Sequence, residues 1–87
     1  MAAAFSILAV QGKKDDIGWI LQVDLTYILK EFGYNGYTVT SGTKIELYDR
    51  IVYQAECTKN NKYYFAYLRS NLGYDRWSVT GVYRRSY

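Results

Sequence analysis

The sequence predicts an α+β fold: a single small domain in which an antiparallel β-sheet of four to five strands carries one helix on one face, in the order β-α-β-β-β-β. Three observations predict it. The chain has 87 residues, far below the roughly 250 at which chains divide into domains, so residues 1–87 read as one unit. Residues 17–32 carry helix signals at both ends. After Gly33 the chain is rich in Tyr, Ile, Val and Thr and is punctuated by turn residues.

Ala4–Val10 has apolar residues on both sides of an extended segment, Phe5, Ile7 and Ala9 against Leu8 and Val10, which predicts a strand interior to the sheet. No basic residue precedes it and the run is short, so it is not expected to be a secretory signal. Gln11-Gly12-Lys13-Lys14-Asp15-Asp16 reads as a polar turn.

Ile17–Phe32 fits two periods. As a helix it has Asp15 or Asp16 as N-cap, Lys30 in the last turn and Gly33 just beyond the end. Ile17, Leu21, Leu25, Ile28 and Phe32 then form an apolar stripe opposite Gly18, Gln22, Thr26 and Lys30. As a strand, Trp19, Leu21, Val23, Leu25 and Tyr27 alternate with Gln22, Asp24 and Thr26, and Gly18 weakens a first helical turn. One helix accounts for both ends; the alternative is a strand over 17–23 followed by a short helix capped by Asp24.

Strands are predicted at Tyr37–Thr40, Lys44–Cys57, Tyr63–Arg69 and Arg76–Arg85. Asn35-Gly36, Ser41-Gly42, Asn60-Asn61 and Asn71-Leu72-Gly73 supply the turns between them. In residues 44–57, Ile45, Leu47, Ile51, Tyr53, Ala55 and Cys57 share one face, which Asp49 interrupts, so a bulge or bend is expected there. In the last strand Trp77, Val79 and Tyr83 alternate with Arg76, Ser78, Thr80 and Arg84, placing the aromatics inward and the arginines outward. Trp19, Trp77, Phe5, Phe32 and Phe65 are the expected aromatic anchors of the core.

The chain contains no His, no Pro and one Cys, and eleven of its residues are Tyr. Without His, triads and imidazole acid/base pairs are excluded, and one Cys cannot form an intramolecular disulfide or a zinc cluster. Cys57 reads as a buried structural thiol in a reducing, cytoplasmic setting, since only Lys59 or Lys62 is near enough in sequence to activate it. Asp15 and Asp16 are accounted for by capping, and Glu46 and Asp49 fall on opposite faces of a regular strand. Glu56-Cys57-Thr58-Lys59 has the wrong spacing for an acidic-plus-lysine nuclease centre, and no glycine-rich phosphate loop occurs. No catalytic residue, metal or cofactor is therefore expected, and the chain does not read as an enzyme. No apolar run approaches the ~18 residues of a membrane span.

The net charge of +3 is uneven: residues 1–43 hold three Lys against four acids, and residues 44–87 hold eight Lys/Arg against four. An anionic partner suits the second half, although the surplus falls short of the dense stripes of strong nucleic-acid binders. Phe65-Ala66-Tyr67-Leu68 resembles the centre of the RNP1 strand of RNA-recognition motifs, whose aromatics stack bases on an open sheet face. The likeness covers four positions: Tyr63-Tyr64 stands where Lys/Arg-Gly should precede it, and Ser70 where the closing aromatic should stand. The helix-then-four-strand order also resembles the cystatin-like arrangement in outline, without its Gln-x-Val-x-Gly inhibitory hairpin.

One helix can cover only one face of a sheet whose strands are aromatic on both. The expected function is accordingly a non-catalytic binding protein, of the kind typified by small virus-encoded inhibitors. It docks a macromolecular partner, preferably a protein, through a Tyr/Arg-rich sheet face formed by Tyr64, Tyr67, Arg69, Tyr74, Arg76, Arg84 and Arg85. The alternative is a single-stranded nucleic-acid binder that uses the same basic and aromatic residues. A homodimer through the open face is compatible with either.

Overall fold

A computed structural model describes residues 13–85, in which one helix packs on a five-stranded antiparallel sheet, the small α+β domain that the sequence predicts. The elements are β1 (Lys13–Asp16), α1 (Trp19–Glu31), β2 (Thr38–Glu46), β3 (Arg50–Lys59), β4 (Lys62–Asn71) and β5 (Trp77–Arg84). Strands lie side by side in chain order, β1 through β5, so every connection after the helix is a hairpin. The strand expected at Ala4–Val10 lies outside the described residues. The first described strand is instead Lys13–Asp16, read from sequence as a polar turn: it is short and exposed, and among the described residues it lies at the sheet edge, where charge is tolerated.

Residues 17–32 resolve in favour of the single helix, with its N-terminus two residues later than the acid caps imply. Gly18 is the N-cap and makes no side-chain bond, because Asp15 and Asp16 are held in the β1–β2 ladder opposite Lys44 and Thr43. At the other end Gly33 adopts φ +92, the left-handed value for which glycine is favoured, and Tyr34 donates its N–H to the Leu29 carbonyl. The buried stripe is Leu25 and Leu29 flanked by Leu21 and Ile28, whereas Phe32 is half exposed. Thr26, expected on the outer face, accepts the Val39 N–H at 2.8 Å through Oγ1 and so ties the helix to β2.

Two strand boundaries differ from the sequence reading. Ser41-Gly42 is not a turn; both residues lie inside β2, after a bulge between Val39 and Ser41. The reversal comes at Leu47–Arg50, where the Leu47 N–H donates to the Arg50 carbonyl at 2.8 Å, so the predicted long strand 44–57 is two strands. Ile45 consequently lies on the face opposite Ile51, Tyr53, Ala55 and Cys57. Asn60 and Asn61, both at positive φ, close the β3–β4 hairpin as their side-chain chemistry suggests.

The core lies between α1 and the inner face of β3 and β4: Leu25, Leu29, Ile51, Tyr53, Ala55, Cys57, Ala66 and Leu68 are all at or below 1% exposure. Of the expected aromatic anchors, Trp77 packs against this core, Phe32 is half exposed, and Phe5 lies outside the described residues. Trp19 is 72% exposed and Phe65 lies on the outer face, while Tyr53 is fully buried, stacks on Trp77 at 5.2 Å and meets Ser70 Oγ at 3.3 Å through its hydroxyl. A tyrosine can serve as the largest core residue here because Ser70, itself buried, satisfies its only polar atom.

Candidate binding surfaces

A register shift in the β4–β5 pair sets the chemistry of the outer sheet face. Leu68 pairs with Val79 and Tyr67 with Gly81, so Thr80 is the extra residue and the alternation inverts beyond it. Trp77, Val79 and Val82 therefore face the helix, whereas Tyr83 turns outward to join Phe65 and Tyr67, and Arg84 goes to the helix side. The inward position expected for Tyr83 is overturned by that bulge. Tyr83 folds back over Gly81, its hydroxyl lying where a Cβ on Gly81 would stand.

On this outer face Tyr67 lies 5.8 Å from Tyr83 and 6.4 Å from Phe65 between ring centroids, and Arg85 sits 4.8 Å above Phe65 while pairing with Glu56 at 3.4 Å. Arg69 donates to Ser78 Oγ at 3.2 Å. The face is nevertheless less open than the sequence implies. Tyr67 is only 6% exposed and bonded to Gln54, and Ile45 and Val52, paired across β2 and β3, are likewise buried.

The seven residues singled out from sequence do not form one patch. Tyr67, Arg69 and Arg85 share the outer face; Tyr64 and Arg84, paired across β4 and β5, lie on the helix side; Tyr74 and Arg76 belong to the β4–β5 turn. That turn is tightly built. Asn71 bonds Asp75 from both ends of its side-chain amide, and Tyr74, at φ +61, donates its N–H to the Asn71 carbonyl. A bulky residue in the left-handed region costs about 1–2 kcal/mol relative to glycine.

The strained Tyr74 forms one wall of a second surface that sequence reasoning missed. Its carbonyl accepts the Trp77 indole N–H at 3.1 Å, and the two rings lie 6.5 Å apart. Trp77, stacked on Tyr53, completes that wall. Facing it across a groove of about 850 Å³ are Ile20, Leu21, Val23, Tyr27 and Ile28 of α1. The groove exists because α1 packs closest to β2 and, among the described residues, leaves the β5 side of the sheet uncovered. Ile20, Val23 and Tyr27 are each about 60% exposed, and Trp19 more so. The missed signal was in the helix itself: Trp19-Ile20-Leu21-Gln22-Val23-Asp24-Leu25-Thr26-Tyr27-Ile28-Leu29 is apolar on more sides than one sheet face can cover.

Chemistry at Cys57 is blocked. The thiol is 1% exposed, faces the helix side, and burial pushes its pKa up to about 12 from an ordinary value near 9.0. A disulfide reagent at pH 8 is therefore expected to label it only after unfolding. The sign of the linkage follows: between pH 9 and about 12 the unfolded chain loses a proton that the fold retains, so stability falls as pH rises through that window. Burial raises Tyr53 and Tyr67 in the same sense. Denaturant midpoints above pH 9 should fall less steeply in Cys57→Ala than in the wild type.

Among the described residues no cluster of three acidic or sulfur ligands could hold a metal ion, and no helix is long and apolar enough to cross a membrane. Comparison with family models, with curated proteins and with solved structures finds no match to the chain.

Proposed function

We propose that this domain is a non-catalytic binding protein that captures a protein partner in the groove between α1 and β5. The observation that carries the reading is the second apolar side of α1, where Ile20, Val23 and Tyr27 stand exposed opposite the Trp77–Tyr74 wall. A short domain with little core to spare leaves these residues outside it, and exposed contiguous apolar surface is the mark of an interaction site. Tyr74 adds to it: glycine would be less strained at φ +61, and the tyrosine instead presents an aromatic face beside the groove. Trp and Tyr in such positions are typical interface anchors. A partner held there is occluded over the bound segment, which is how a compact inhibitor acts.

Ile20→Gln/Val23→Gln keeps the charge and uses a good helix former at two exposed sites. Retention of the partner on immobilised domain is expected to be lost while the denaturation midpoint stays unchanged. Tyr74→Gly is the sharper test: it should leave the domain equally stable or more so and still weaken retention. Undiminished retention by both variants would remove the groove from consideration.

A second reading rests on the outer face, where Arg85 over Phe65 and the Tyr67–Tyr83 pair resemble a stacking platform for single-stranded nucleic acid. It requires oligonucleotide affinity that falls steeply between about 50 and 200 mM salt and is lost in Phe65→Ala. No binding at the lower salt disposes of it.

A further inference from the structure

Three arginines meet at one corner of the outer sheet face. Arg50 opens β3, Arg69 lies in β4 and Arg76 directly precedes β5. Arg50 pairs with Asn71, whose N–H donates to the Arg76 carbonyl at 3.2 Å, and two residues along the strands the paired row is Val52, Arg69 and Ser78. Side chains alternate along a strand, and Ile51 and Trp77, between these rows, face the helix, so all three arginines share the outer face. With Asn71, Ser78 and Asp49 they line a hollow of about 360 Å³. Asp49 is the one acid on the lining, and Arg50 already donates to both its oxygens, at 3.1 and 3.3 Å. Asp75, which precedes Arg76, accepts the Asn71 amide N–H at 2.6 Å. Arg69 donates from Nε to Ser78 Oγ at 3.2 Å, and the Arg76 side chain has no hydrogen bond or ion pair among the described residues.

Three positive charges against one negative leave the lining with a surplus of two. An anion in the hollow relieves the repulsion among the guanidinium groups, whose planar N–H forks match the oxygens of phosphate. We propose that this hollow binds a phosphomonoester dianion, free or carried on a small organic group. Arg69 and Arg76 donate to its oxygens, Arg50 adds charge, and Ser78, which accepts from Arg69, keeps its own O–H to donate. A dianion matches the surplus of two, whereas a carboxylate or a phosphodiester carries a single charge. The arginines gather at one hollow, which suits a terminal phosphate better than a strand of phosphodiesters. The hollow lies on the opposite face of the sheet from the groove and stands independently of the groove reading.

The test titrates the whole protein with phenyl phosphate and, separately, with inorganic phosphate, following backbone amide and arginine Nε–H signals by NMR. Saturable shifts are expected at the Arg69 Nε–H and at the amides of residues 76–78. Affinity for phenyl phosphate should fall roughly fivefold or more between about pH 7.5 and about pH 5, as the ligand loses its second charge. The chain has no His, the side chain that ordinarily titrates in that interval, so the change reports the ligand. Arg69→Gln/Arg76→Gln, at two exposed positions, should weaken binding by roughly tenfold or more through lost charge-assisted hydrogen bonds, with the remaining amide signals unmoved. Lys62→Gln, which removes one charge at the β3–β4 hairpin, should leave binding unchanged. Tighter binding of phenyl phosphate than of the free ion assigns the hollow to an organic phosphate, and equal affinities assign it to the ion itself. Equal weakening by Lys62→Gln means diffuse attraction and overturns the inference, as do equal affinities for phosphate and acetate, an affinity indifferent to pH, or no saturable shift. An oligothymidylate without terminal phosphate that binds more tightly than phenyl phosphate, and is lost in the same double variant, assigns the arginines to a phosphodiester backbone and likewise overturns it.

Discussion

Leu25→Ala is expected to destabilise the domain by about 2–5 kcal/mol, the range for removing a fully enclosed aliphatic side chain from a packed core. Leu25 has zero exposure and belongs to the layer of Leu29, Tyr53 and Leu68 between helix and sheet. Native domains hold only about 5–15 kcal/mol in total, and one this small belongs toward the lower end, so the variant should show a sharply lowered urea midpoint. The site can relax little, because Thr26 beside it is bonded to β2 and Ile17 to Gly42, fixing the helix over the sheet. Leu25→Met, which nearly conserves volume, should cost less than about 1.5 kcal/mol. Similar midpoints for the two variants would mean that the helix is not packed as described.

Gly42→Ala is the second large effect expected. A Cβ there would lie 2.6 Å from the Gln54 carbonyl oxygen and 3.1 Å from both Ala55 Cα and Ile17 Cδ1. Two of these neighbours are backbone atoms of the next strand and cannot swing aside, so β2 and β3 must separate or Ile17 must leave the core. The cost should fall at about 1–3 kcal/mol, as for other overpacked sites, with hydrogen exchange quickening along the β2–β3 ladder. Gly73→Ala is the contrast. Its new methyl would meet nothing nearer than the Asp75 carboxylate at 3.7 Å, and a near-neutral midpoint is expected.

Gly42 also shows why part of the fold was not legible in the chain. Ser-Gly is a turn dipeptide by local chemistry, and here the glycine serves close approach between strands instead. Tyr48-Asp49 reverses the chain where a bulge or bend was expected; Asp49 is a turn residue, but only the β2–β3 pairing on either side makes the irregularity a full hairpin. By contrast, Gly33 and Asn60-Asn61 were legible because each meets a local backbone requirement, positive φ, that few other residues satisfy at low cost. The β4–β5 bulge had no such local marker. It moves Tyr83 and Arg84 to opposite faces from those their alternation implies, so the expected Tyr/Arg patch was divided.

The groove was half legible. That α1 is apolar on more than one side can be read from residues 19–29, but a helical period alone does not say which side the sheet will take. The α+β class, the helix, its glycine end and the last two strands follow from periodicity and turn chemistry, which act within a few residues of one another. Lateral position is different in kind. The Thr26–Val39 bond and the seat of Ile17 against Gly42 hold α1 near β2, contacts between residues distant in sequence. That placement buries Leu25 and Leu29, leaves Ile20, Val23 and Tyr27 outside, and opens the groove toward Trp77; no short-range pattern encodes it, because it depends on how two finished surfaces pack.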